Sequence, residues 1–89
     1  MNEKLFEEFL TKQNITEKAI KSRIVKGNKA EELLNMSFDR IVANDDLMFD
    51  SLKQLKKHDN PSHSPLSNAL RKYYEAVNGK PFPKLNEYK

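Results

Sequence analysis

Cysteine and tryptophan are absent from the 89-residue chain, and glycine and proline are scarce, with two and four copies. Without cysteine there is no disulfide framework, no thiolate metal site and no thiol nucleophile. No apolar run approaches the ~20 residues of a membrane-spanning helix, and Met1 to Lys4 lack the basic start and apolar stretch of a signal peptide. The sequence therefore predicts a cytoplasmic protein that does not associate with membranes.

Positive and negative charges are nearly balanced in number but are distributed unevenly along the chain. Sixteen Lys and Arg residues face thirteen Asp and Glu residues, which gives a formal net charge of +3. Bases dominate residues 12–29, acids dominate residues 31–50, and bases lead again from Lys53 onward. A net charge this small does not by itself indicate a nucleic-acid binder, but the distribution allows one face to carry a positive field.

The scarcity of glycine and proline leaves long uninterrupted stretches, which favours helices over other structures. Apolar residues recur at helical spacing after Asn2, Thr16, Asn44 and Ser64, and all four are residue types that cap helix N-termini. Ser37 is a candidate N-cap for a brief additional turn. No segment shows the alternation of apolar and polar residues that predicts a half-buried strand.

These patterns predict an all-α protein, a compact bundle of four to five short helices with an extended C-terminal tail. The helical domain spans residues 1–80 and the tail spans residues 81–89, where two prolines exclude regular helix. Gly27 is expected to end or bend the second helix, so residues 16–35 form either one bent helix or two short ones. The predicted core consists of Leu5, Phe9, Ile20, Ile24, Leu33, Ile41, Met48, Leu52, Leu55, Leu66, Leu70, Tyr73 and Val77.

The second predicted helix has a basic face. At roughly 100° per residue, four of its lysines fall within an arc of about 140°, with Ile20 and Ile24 on the opposite side. The four are Lys18, Lys21, Lys26 and Lys29. This geometry suits a helix that lies along phosphates with its back to a core. The alternative is a solvated lysine face, which most surface helices have.

Other candidate chemistry is sparse. His58, Asp59 and His63 surround a proline-containing loop and share no helical spacing, so we expect no metal site there. A serine nucleophile and a histidine base are both present in Ser62, His63 and Ser64. Consecutive residues on a flexible loop, however, rarely form a preorganised catalytic site. The sequence also lacks a glycine-rich phosphate loop. We therefore predict no cofactor and no enzymatic activity.

Tyr73 and Tyr74 are adjacent in the last predicted helix, next to Arg71 and Lys72. In one interpretation, one tyrosine packs in the core and the other reaches the surface, where it contacts a phosphate or a partner. In the favoured interpretation, both tyrosines share an edge of the core.

Three segments resemble a known family. They are Thr16–Ile20, the stretch from Phe38–Val42 to Asp45–Phe49, and Leu66–Glu75 with its Ala-Leu-Arg-Lys-Tyr-Tyr run. Together they are similar to the SAM-like core-binding domain of tyrosine recombinases, the phage-type integrases. The resemblance implies an all-α module that clamps duplex DNA mainly through its backbone. It also implies that Lys18, Lys21 and either Arg71 or Lys72 contact phosphates.

The chain has no His-x-x-Arg motif, so the resemblance does not imply strand cleavage. The leading hypothesis is a small non-enzymatic module that binds nucleic acid through phosphate contacts. The alternative is a protein–protein interaction module, or a small inhibitor or accessory protein of a mobile element, which docks through its charge stripes and Phe49, Phe82 or Tyr74. The residues predicted to contact nucleic acid are Lys18, Lys21, Lys26, Lys29, Arg71 and Lys72.

Overall fold

Five α-helices form within residues 1–60 and 62–88, the part of the chain that the computed structural model describes. This part of the chain contains no strand, and the prediction of an all-α bundle is confirmed. None of these five helices meets the combined demands of length and apolar character that crossing a bilayer imposes. The helices are α1 (Glu3–Lys12), α2 (Glu17–Leu34), α3 (Phe38–Val42), α4 (Asp45–Lys56) and α5 (Pro65–Asn78).

Four helices begin at the caps that the sequence predicts. The side chains of Asn2, Thr16, Ser37 and Asn44 each accept a hydrogen bond from a backbone N–H of the first turn. Such bonds satisfy donors that would otherwise have no partner inside the helix. These helix starts are therefore encoded locally.

The start of α5 is encoded differently. Ser64 occupies the N-cap position with a left-handed backbone (φ 47°, ψ 52°), and its side chain makes no capping hydrogen bond. Instead the carboxylate of Asp59 accepts from the N–H groups of Leu66 at 2.7 Å and Ser67 at 2.9 Å. Its negative charge also suits the positive end of the helix dipole. Asp59 is thus the capping side chain of α5.

Helix α2 continues through Gly27, so the two-helix alternative for residues 16–35 is wrong. Gly27 is buried, and a Cβ atom added there would lie 3.1 Å from Met1 Sδ and 3.3 Å from Phe38 Cε2. The glycine therefore permits close packing of neighbouring side chains. The helix ends at Asn35, which adopts the left-handed conformation at φ 54°.

All five helices contribute buried residues to the core, and α4 packs against α2, α3 and α5. Tyr73 stands at its centre, with the ring of Phe6 edge-on at a centroid distance of 5.4 Å and the ring of Phe38 at 5.7 Å. Each fully buried side chain of this size contributes about 1.5–3 kcal/mol of gross stabilisation. Tyr74 is also buried, so the prediction that both tyrosines share the core is confirmed.

Two predicted core residues lie at the surface. Leu33 is 40% exposed and Val77 is 45% exposed. Each lies in the last turn of its helix, and α2 instead turns the neighbouring Leu34 toward the core. In α1 the fully buried stripe consists of Phe6 and Leu10, while the predicted Leu5 and Phe9 pack partly buried at its edge.

The segment after α5 packs back on the bundle. Gly79 ends the helix with a left-handed backbone at φ 76°, as the sequence predicts. Phe82 is buried against Tyr74, at a centroid distance of 5.2 Å. Tyr88 stacks on Phe49 of α4 at 5.1 Å. Residues 81–84 have no regular structure, and a turn follows in which the N–H groups of Glu87 and Tyr88 donate to the Lys84 carbonyl at 2.9 and 3.0 Å. The segment therefore brings its backbone carbonyls and Leu85 beside α4 and α5.

Candidate nucleic-acid interface

The lysines of α2 divide into two pairs by position along the helix, Lys18 and Lys21 in its first half and Lys26 and Lys29 in its second. Lys18 and Lys21 lie on the exposed outer side of the helix. Lys21 Nζ is 3.6 Å from Glu17 Oε1, an exposed pair that is worth little energetically but offsets the lysine charge. The same outer side carries Glu32 and Val25, which is 62% exposed. A phosphate that approached this side would meet carboxylates and an apolar group as well as lysines.

Lys26 and Lys29 face the first turn of α5 and the loop that precedes it. They line a cavity of about 440 Å³ together with Asp59, the loop residue that caps α5. Because its oxygens accept hydrogen bonds from α5, the carboxylate of Asp59 is already engaged. No three potential metal-ligating side chains are grouped in residues 1–60 and 62–88.

Arg71 and Lys72 line a second cavity, of about 350 Å³, between α2, α5 and the C-terminal segment. Arg23 of α2 points into it from the other side. The remaining lining includes Asn68 and Glu75 of α5. Three cations from two helices therefore converge on one opening. The described residues form no ion pair with Arg23, Lys26 or Lys29.

Arg71 is held in one orientation. Its Nη1 donates to the carbonyl oxygens of Phe82 at 3.0 Å and Pro83 at 3.2 Å. Burial lowers the pKa of Arg71 from its usual 12.5, although a guanidinium stays protonated at neutral pH. These bonds use one of its three nitrogens, and a guanidinium carries five N–H donors. The carbonyls of the tail therefore fix the position of the Arg71 guanidinium, and its other N–H donors are not used by these two bonds.

Lys72 is partly neutralised. Its Nζ lies 3.5 Å from Glu75 Oε1 and 3.3 Å from Gln13 Oε1. Glu75 and Asp59 are the carboxylates that line the two cavities, and each already has a partner. The balance of charge around the cavities is therefore positive.

The positive region continues past α5 toward α4. Arg71 and Asn68 also line an adjoining cavity of about 430 Å³, with Lys56 of α4 on its far side. On α2, Arg23 lies within an arc of about 120° of Lys26 and Lys29 at 3.6 residues per turn. We call the resulting band the basic seam. It consists of Arg23, Lys26, Lys29, Lys56, Arg71 and Lys72.

The structure thus brings together four of the six predicted residues, Lys26 with Lys29 and Arg71 with Lys72. It does not bring Lys18 and Lys21 to them. Lys21 is about 160° away from Arg23 around α2, and Lys18, which points in nearly the same direction as Lys29, is about 16 Å away from it along the helix axis. Arg23 and Lys56 join the group without having been predicted. Arg23 falls outside the arc that contains the four lysines of α2, and only the packing of α2 against α5 shows that it lines the same cavity as Arg71 and Lys72. Lys56 belongs to a short lysine stripe on α4, but its approach to Arg71 depends on packing.

Comparison of the chain with family models, with curated proteins and with solved structures gives no match. The resemblance to the integrase core-binding domain therefore stays a prediction.

Proposed function

We propose that the protein is a non-enzymatic module that binds nucleic acid by placing phosphates along the basic seam. The observation that supports this proposal is the convergence of Arg23, Arg71 and Lys72 from two helices on one cavity. Lys26 and Lys29 extend the positive surface on one side and Lys56 extends it on the other. Cations spaced along a groove suit a polyanion better than they suit a single small anion.

Several carboxylates lie away from the basic seam and are bound to other groups of the fold, which supports the proposal. Asp39 and Asp45 accept hydrogen bonds from the hydroxyls of Tyr73 and Tyr74, and Glu31 pairs with the Met1 amine. These carboxylates are tied to structural partners away from the seam. A polyanion on the seam therefore meets little unpaired negative charge.

Phosphate contacts position a nucleic acid but carry no sequence information. The proposed binding is therefore tolerant of sequence. Contact with about four phosphates would give a slope near −3 to −4 in log affinity against log salt concentration. Duplex DNA is the preferred partner because of the resemblance to the integrase core-binding domain.

Fluorescence anisotropy with a labelled duplex, begun at ~50 mM salt and repeated at rising salt, tests the proposal. The variant Arg23→Gln with Lys72→Gln removes two converging cations and should weaken binding about tenfold or more. Lys4→Gln with Lys12→Gln removes the same charge from exposed positions on α1 and should change affinity far less.

Lys18→Gln with Lys21→Gln separates the seam from the outer side of α2. If this pair alone weakens binding, phosphates lie along the outer side and the seam is not the site. Absence of measurable binding by the unaltered protein at ~50 mM salt contradicts the function itself.

A further inference from the structure

The C-terminal half of α4 and the tail border a groove whose apolar surface the proposed function does not use. Its volume is about 470 Å³. Phe49 and Leu85, both half-buried, supply its apolar surface. Lysine side chains border it. The lysines are Lys53, Lys56 and Lys57.

The Phe49 ring in this groove is held in place by contacts with Tyr88 and Lys53. Tyr88 stacks on Phe49, and its hydroxyl donates to Asp46 at 2.6 Å. Lys53 Nζ lies over the Phe49 ring, 5.2 Å from the centroid. Of the three aromatic residues in the predicted docking surface, Phe82 and Tyr74 are buried, and Phe49 is half-buried and keeps part of its surface accessible.

We propose that this groove binds an acidic amphipathic segment of a protein partner. Three lysines around an apolar surface are complementary to a segment with an apolar anchor flanked by Asp or Glu. The anchor would contact Phe49 and Leu85, while its acidic neighbours would pair with Lys53 and Lys57. Amphipathic helices present this combination when apolar residues recur every three or four positions.

Nucleic acid fits the groove less well. A phosphate backbone would use the lysines but leave the apolar surface uncovered. A base would need a free aromatic face on which to stack, whereas Phe49 already has Tyr88 stacked against it and Lys53 over it. The inference goes beyond nucleic-acid binding and does not depend on it, although Lys56 borders both surfaces.

The test uses the full chain labelled with ¹⁵N and two synthetic peptides of identical composition, rich in Leu and Glu. In one peptide the leucines form a single helical face, and in the other they are scattered. The amphipathic peptide should shift the amide signals of Phe49, Lys53 and Leu85, and the scattered peptide should bind at least tenfold more weakly. Equal binding of both peptides would show a purely ionic contact and overturn the proposal.

Charge reversal locates the site. Lys53→Glu with Lys57→Glu should weaken the amphipathic peptide about tenfold, while the matched pair Lys18→Glu with Lys21→Glu, also exposed, should leave it unchanged. Equal losses from the two pairs, or signal shifts confined to the basic seam, overturn the proposal. So does a DNA duplex that shifts the Phe49 and Leu85 signals more strongly than the peptide. Failure of the DNA titration alone leaves this inference intact.

Discussion

The charged groups around Met1 and those along the basic seam differ in how they are paired. The Met1 amine is 2.7 Å from Glu31 Oε2 and 3.5 Å from Asp39 Oδ2. Glu31 Oε2 also accepts from the Phe38 N–H at 2.7 Å, and Asp39 accepts from the buried Tyr73 hydroxyl. At the seam, by contrast, Arg23, Lys26 and Lys29 form no ion pair within the described part of the chain.

This contrast separates charge that holds the fold from charge that is left for a partner. Removing one member of a partly buried, hydrogen-bonded charge pair leaves the other without its partner, so substitutions around Met1 should act on stability. Arg23, Lys26 and Lys29 are half-buried or exposed and form no ion pair within the described part of the chain, so substitutions at these positions should act mainly on binding. The following substitutions and pH changes test that division, from the largest expected effect to the smallest.

Glu31→Ala should lower the free energy of unfolding by about 3 kcal/mol, because it leaves both the Met1 amine and the Phe38 N–H without their acceptor. Denaturant unfolding measures the change. Glu32→Ala, on the exposed side of the same turn, should cost no more than about 0.5 kcal/mol. Equal effects of the two substitutions would contradict a stabilising role for the Glu31 contacts with Met1 and Phe38.

Asp59→Ala should lower the free energy of unfolding by about 1–2 kcal/mol, because it removes the acceptor for two N–H groups in the first turn of α5. Ser64→Ala, at the N-cap position itself, should cost much less because the Ser64 side chain makes no capping bond. Thermal unfolding of the two variants gives the comparison. A larger loss of stability in Ser64→Ala than in Asp59→Ala would show that Ser64, and not Asp59, caps α5.

The stability of the Met1 region should depend on alkaline pH. Burial alone lowers the pKa of the Met1 amine, but the hydrogen bond to Glu31 and the charges of Glu31 and Asp39 outweigh burial and raise that pKa above its usual 8.0. Since the folded pKa is the higher one, this stabilisation is complete below pH 8 and is lost as the pH rises through the raised value. Tm should therefore fall over this range.

Acetylation of the Met1 amine is the control for the pH effect. An acetylated chain has no titrating group at this position, so its Tm should start lower and lose this component of the pH dependence. Identical pH profiles for the free and acetylated chains would contradict the assignment.

Arg23→Gln with Lys72→Gln should have the smallest effect on folding, within about 0.5 kcal/mol, since the pair with Glu75 is partly exposed. The same variant is expected to lose most of its affinity for duplex DNA. Unfolding and anisotropy measurements on one preparation give both quantities. A large loss of stability would place these residues with the structural charges instead.

Much of the fold could be predicted because its signals are local. An N-cap and the helical spacing behind it lie within a few residues, so Asn2, Thr16 and Asn44 mark their helices without tertiary information. Gly79 marks the end of α5 for the same reason. The errors occurred where the signal is distant in sequence. Leu33 has the right residue type for a core, but the packing around the end of α2 leaves it exposed.

The candidate site was predicted only in part, for the same physical reason. Helical spacing correctly places Lys26 and Lys29 on one side of α2, but it cannot show which part of the lysine arc faces α5. Arg23 belongs to the site because it lines the same cavity as Arg71 and Lys72, which are about fifty residues further along the chain. The capping role of Asp59 and the pairing of the Met1 amine with Glu31 likewise depend on packing.

The amino-acid sequence by itself determined the helical class of this protein, most helix starts and the uneven distribution of charge, because each depends on neighbours within one or two turns. Only the tertiary structure decided which cations share a cavity, which carboxylates are already paired and which apolar surface stays open. Those properties depend on how helices distant in sequence pack, because packing brings some charges to a partner and leaves others without one.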